Sequence, residues 1–89
     1  MMRFLNNKND IENLSNAVKN CQEKVVLRSA DGSEEYNLKS VLSFYTAVGE
    51  LCKDHGDEYE FYCYDHRDER FIMDFLMELD REREASNAA

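Results

Sequence analysis

The chain has 89 residues, 43% of them hydrophobic, with 19 acidic side chains against 11 basic ones and a formal charge of −8. So short a chain supports one hydrophobic core rather than two, and its negative charge would repel nucleic acid and anionic membrane surfaces, which leaves proteins or cations as partners. No apolar run is as long as a bilayer span, the N-terminal "MMRFLNNKND" lacks the apolar stretch of a signal peptide, and three cysteines are an odd number for a disulfide framework, so a cytoplasmic protein with free thiols is expected.

Met2 to Leu5 is a short apolar run interrupted by Arg3 and reads as a strand. In "NDIENLSNAVKNC", Ile11, Leu14, Val18 and Cys21 recur at helical spacing with Ala17 beside them, and Asn9 followed by Glu12 resembles a capping box. An amphipathic helix with one buried stripe follows. In "KVVLRSADGSEEYNL", Asp31-Gly32 predicts a hairpin with a type I′ turn, because glycine and aspartate tolerate the positive φ such a turn needs. Pairing outward sets Arg28 opposite Glu35, Leu27 opposite Tyr36 and Val25 opposite Leu38. Leu27, Tyr36, Val25 and Leu38 then face a core, while Arg28 and Glu35 form an opposite-charge pair on the wet face.

"YNLKSVLSFY", residues 36–45, begins with strand periodicity and ends with helical periodicity. From Ser40 onward Val41, Leu42, Tyr45, Val48, Leu51 and Cys52 recur three or four apart, and "KDHGDE" ends the helix. Ser40 falls at the first turn, where its hydroxyl would accept hydrogen bonds from unpaired backbone N–H groups. "EYEFYCYD" alternates, with Tyr59, Phe61 and Cys63 on one face and Glu58, Glu60, Tyr62 and Tyr64 on the other, as in a half-buried strand. "DERFIMDFLMELDRERE" sets Phe71, Ile72, Phe75, Leu76 and Leu79 along one stripe of a long helix, with Asp68 as its N-cap.

The element order β-α-β-β-α-β-α, with one-sided apolar patterns throughout, predicts an α+β fold: a two-layer, open-faced β-sandwich in which three helices cover one face of a four-stranded antiparallel sheet. Residues 1–84 form its single domain and residues 85–89 a disordered tail. Val26, Arg28, Glu35, Glu58, Glu60, Tyr62 and Tyr64 are expected to face water, with Tyr62 and Tyr64 as a partner or dimer patch.

The hairpin followed by "YNLKSVLSFY", together with the helix order, resembles the HPr family of phosphocarriers of the sugar phosphotransferase system, best over residues 25–48. The resemblance implies that Ser40 falls on a regulatory phosphorylation position. It implies too that Lys39, Val41, Leu42 and Tyr45 form a docking surface for a protein partner: a phosphotransferase-system component, a kinase or a transcription regulator. It also exposes a departure. The family's phosphocarrier histidine and its arginine align with Asn7 and Asn9, and the chain has no proline. An amide nitrogen is not basic enough to accept and pass on a phosphoryl group as imidazole does. The expectation is a non-catalytic HPr-like binding or regulatory module without a cofactor or metal, the rival being a phosphocarrier that uses His55 or His66.

Cys52-x-x-His55 and Cys63-x-x-His66 offer four ligands of types that suit zinc, which makes a small zinc-binding domain the other alternative. Cys63, in phase with Tyr59 and Phe61, is expected in the core instead. Asp54, Asp57, Glu58 and Glu60 lack the glycine and bidentate glutamate of a calcium loop and read as a solvated acidic face. No nucleophile lies beside a recognisable base, and no glycine-rich phosphate loop is present among three glycines.

Overall fold

A computed structural model describes residue 5, residues 7–53 and residues 58–87, the last five by their backbone. Helix α1 runs Lys8–Asn20, strand β1 Val25–Ser29, strand β2 Glu35–Asn37, helix α2 Val41–Leu51 and strand β3 Tyr59–Cys63; a 3-10 turn, His66–Asp68, then leads into helix α3, Glu69–Asn87. The fold is α+β, with an antiparallel sheet of order β2-β1-β3 among the described residues. Of the expected first strand, residues 2–4 lie outside the described residues. Leu5 is buried, and its N–H donates to the Leu51 carbonyl at 3.1 Å.

The hairpin has the expected register, with Val26 paired to Asn37, Leu27 to Tyr36 and Arg28 to Glu35. Its turn differs. A type I′ turn needs positive φ at both Asp31 and Gly32, and among the described residues only Gly32 has it, at 76°. The Gly32 N–H donates instead to the Ser29 carbonyl at 2.9 Å, so the tight turn is centred on Ala30-Asp31. Asp31 Oδ1 accepts from the Ser29 hydroxyl (2.8 Å) and from both the N–H and the hydroxyl of Ser33 (2.9 and 2.7 Å). These bonds hold its carboxyl down at a pKa of about 2.

Buried residues from all three helices and from the inward face of the sheet join in one core that includes Leu14, Val18, Leu27, Leu51, Ile72 and Phe75. Leu14, Leu27 and Leu51 are wholly buried, each worth about 1.5–3 kcal/mol relative to an exposed side chain. β3 alternates as expected, with Tyr59, Phe61 and Cys63 half-buried and Glu60 and Tyr62 exposed. The Phe61 ring meets Phe75 edge-on at 6.4 Å. α3 continues to Asn87, so helix extends into residues the sequence pattern assigns to a tail.

Val26 does not face water as expected; it is wholly buried, apart from the main core. It lies in the middle strand between Asn37 and Tyr62, and two cation–ring pairs flank it, Arg28 at 4.5 Å from the Tyr62 ring and Lys24 at 5.2 Å from the Tyr64 ring. A small side chain among such neighbours is shielded even on the outer face of a sheet. Arg28 also makes the expected pair with Glu35, at 2.7 Å.

Candidate functional site

The strand-to-helix junction is shaped by Asn37. Its side-chain oxygen accepts the Lys39 N–H at 3.0 Å and its carbonyl accepts the Ser40 N–H at 3.1 Å. The chain thus turns directly out of β2 with Leu38 tucked into the core. Ser40 takes the N-cap position of α2 in an extended conformation, and its carbonyl accepts the Phe44 N–H at 2.7 Å. Its hydroxyl makes no capping bond, contrary to the capping role expected of it, and no acidic residue stands in the first turn of α2. A half-buried hydroxyl is therefore left beside the positive end of the helix dipole.

The helical apolar pattern divides between two faces. Phe44, Ala47, Val48 and Leu51 join the core, while Val41, Leu42 and Tyr45 are 70%, 82% and 67% exposed. Three large apolar side chains within five residues thus form one outward patch beside Ser40. The Tyr45 ring is braced edge-on against Phe44 at 5.9 Å. Alongside runs a groove of about 420 Å³ between α1 and the start of α2, with Val18 and Lys19 on one wall and Lys39, Val41, Phe44 and Tyr45 on the other. The Lys39 ammonium donates to the Cys21 carbonyl at the C-cap of α1 and so ties the two walls together.

The two amides at the expected phosphocarrier positions differ. Asn7, not Asn9, is the N-cap of α1, and its side-chain oxygen accepts the Asp10 N–H at 3.0 Å. Asn9 lies exposed in the first turn. Neither amide nitrogen can act as a phosphoryl acceptor.

The candidate zinc ligands are spread out. Cys52 is the half-buried C-cap of α2, Cys63 is half-buried in β3, and His66 lies in the 3-10 turn with a side chain 91% exposed and Nδ1 3.1 Å from Glu69 Oε2. His55, with Asp54 and Asp57, lies outside the described residues, and among the described residues no group of three or more histidine, cysteine, aspartate or glutamate side chains could hold a metal ion. Cys63 is in no disulfide, and burial pushes its thiol's pKa up to about 11.

Asp68 escapes the sequence pattern. It is buried, and its carboxylate turns away from the α3 N-terminus to accept the N–H groups of Gln22 (3.0 Å) and Glu23 (2.9 Å) in the loop after α1. Asp65 caps the 3-10 turn that precedes α3: it accepts the Arg67 N–H at 2.9 Å and pairs with the Arg67 guanidinium at 2.8 Å. Those bonds hold the Asp65 carboxyl at a pKa of about 2. No family model, no curated protein and no solved structure matches this chain.

Proposed function

We propose that this chain is a non-catalytic, HPr-like binding or regulatory module whose docking face is the first turn of α2 and whose regulated residue is Ser40. The observation that carries the reading is the exposure of Val41, Leu42 and Tyr45 directly beside a serine whose hydroxyl is not spent on capping. Burying three such side chains against a partner would contribute several kcal/mol, whereas leaving them in water gains the fold nothing. A phosphate on Ser40 would meet the unpaired N–H groups at the helix start, so the fold would tolerate the modification and the partner would feel it.

Asn7 supports a non-catalytic reading because its side chain is already spent on the α1 cap. The partner would be a protein met in the cytoplasm: a phosphotransferase-system component, a kinase or a transcription regulator. No described helix is long and apolar enough to cross a membrane. The test pairs a pull-down with circular dichroism. Ser40→Asp and Leu42→Glu should both alter partner capture with the fold intact, and capture unchanged by either would overturn the docking role. The rival, a phosphocarrier, rests on the exposed imidazole of His66. Incubation with the general phosphotransferase enzyme and phosphoenolpyruvate is expected to leave no acid-labile phosphate on the chain; phosphohistidine at His66 or His55 would replace this reading with the rival.

A further inference from the structure

Helix α3 carries more apolar surface than the core uses. Ile72, Phe75 and Leu79 are buried, whereas Met73 and Met77 are 54% and 64% exposed. Four residues apart, the two methionines are neighbours on one outward face. Met73 also lines a groove of about 600 Å³ between β3 and α3, together with Phe61, Cys63, Ile72 and Leu76. Apolar surface thus runs from the groove across Met73 to Met77, and the fold gains nothing by leaving it in water.

The charges at the two ends of this stripe are opposite and evenly placed. Arg70 lies three residues before Met73 and Asp80 three residues after Met77, both exposed. The four side chains therefore keep the alternating three- and four-residue spacing of a helix–helix seam, over about 15 Å of helix. Among the described residues neither charge is in an ion pair: the Arg70 guanidinium lies 4.7 Å from the Phe71 ring, and it is Arg81, next to Asp80, that pairs with Glu78.

Run backwards, this stripe complements itself. An antiparallel second copy sets Arg70 against Asp80 and Met73 against Met77, each twice over, as a two-fold contact between identical patches requires. A parallel copy would set Arg70 against Arg70 and Asp80 against Asp80, and like charges in register repel. We infer that this face of α3 is a self-association surface whose occupant is α3 of a second, antiparallel copy of the chain, with the methionines at its centre and an Arg70–Asp80 ion pair at each end. None of its residues belongs to the docking face on α2, so the two surfaces stand or fall separately. So short a seam buries little area, and the dimer is weak, forming between about 0.1 and 1 mM.

The test is sedimentation equilibrium of the full chain from about 10 µM to about 1 mM, with the fold of every variant checked by circular dichroism. The apparent mass should rise with concentration from one chain toward two. Met77→Lys, which puts a charge at the centre of the seam, should weaken association at least about tenfold. Arg70→Glu and Asp80→Lys should each weaken it at least about threefold. The two together should restore it, because the exchange again sets opposite charges face to face in the antiparallel pairing. A chain that stays monomeric at about 1 mM would overturn the second copy as occupant. A dimer indifferent to Met77→Lys would overturn the α3 face, and a double variant that fails to recover would overturn the antiparallel pairing.

Discussion

Replacing Asp68 with alanine should cost this protein a large part of its stability. The Asp68 carboxylate is buried and accepts two backbone N–H groups from a loop 45 and 46 residues away in sequence. Hydrogen bonds to a charged acceptor contribute about 1.5–3 kcal/mol each, and the partly buried amides of Gln22 and Glu23 would recover some of that from water once the carboxylate is gone. Desolvation of the charge opposes the gain, because a buried carboxylate held by two donors has not regained all it loses on leaving water. Taking the lower end for each bond gives a loss of about 3 kcal/mol, against a total of roughly 4–13 kcal/mol for a domain of this length. The midpoint should fall by on the order of 12–24 °C. Asp68→Asn, which keeps one acceptor oxygen but turns an NH2 donor toward the second backbone N–H, should lose at least about half as much. Thermal and urea unfolding followed by circular dichroism measures both variants. A loss below about 0.5 kcal/mol for Asp68→Ala would refute the argument that the carboxylate clasps this loop.

Three further outcomes are expected. Gly32→Val should destabilise by about 1–2 kcal/mol and Gly32→Asn by much less, because φ is positive there and the space a Cβ would enter is open, so the cost is backbone strain rather than a clash; urea midpoints of the two variants decide it. The Asp31 and Asp65 carboxyls both titrate near pH 2, below the ordinary value of 3.8, so their stabilisation is complete above about pH 4 and is lost as the pH falls toward 2; Asp31→Asn should flatten the fall of the melting midpoint across that window. On α2, Leu42→Ala should change stability by less than about 0.5 kcal/mol and Leu51→Ala should cost about 2–5 kcal/mol, the first being 82% exposed and the second wholly buried; calorimetry that found the two alike would contradict the division of the helix into outward and inward apolar faces.

The features legible in the sequence are those fixed within a few residues. Asp31-Gly32 sets the hairpin register because turn chemistry and the period-two alternation on either side point the same way. The turn type is not legible, because it depends on how Ser29 and Ser33 share the Asp31 carboxylate. Asn7 and Asn9 present the same side chain two positions apart, and only the geometry of the chain entering α1 assigns the cap to the first. In α2 the spacing of Val41, Leu42 and Tyr45 is as helical as that of Val48 and Leu51, so periodicity alone cannot say which of them water touches; the resemblance, not the periodicity, singled out the outward three. Asp68 looks like an ordinary helix cap because its true partners lie in another part of the chain, and Val26 looks exposed because the neighbours that bury it come from a strand more than thirty residues away.

The placement of β1 between its two neighbours also bears on the order in which the sheet assembles. Arg28 meets Glu35 seven residues later on one side and Glu60 thirty-two residues later on the other. Closing the longer loop costs about 1.3 kcal/mol more chain entropy than closing the shorter one, and nothing repays it until β3 and α3 have found the core. The hairpin is therefore the nucleus and β3 the late arrival, so destabilising changes at Tyr59 or Phe61 should speed unfolding with little effect on refolding, while changes at Leu27 or Tyr36 should slow refolding itself.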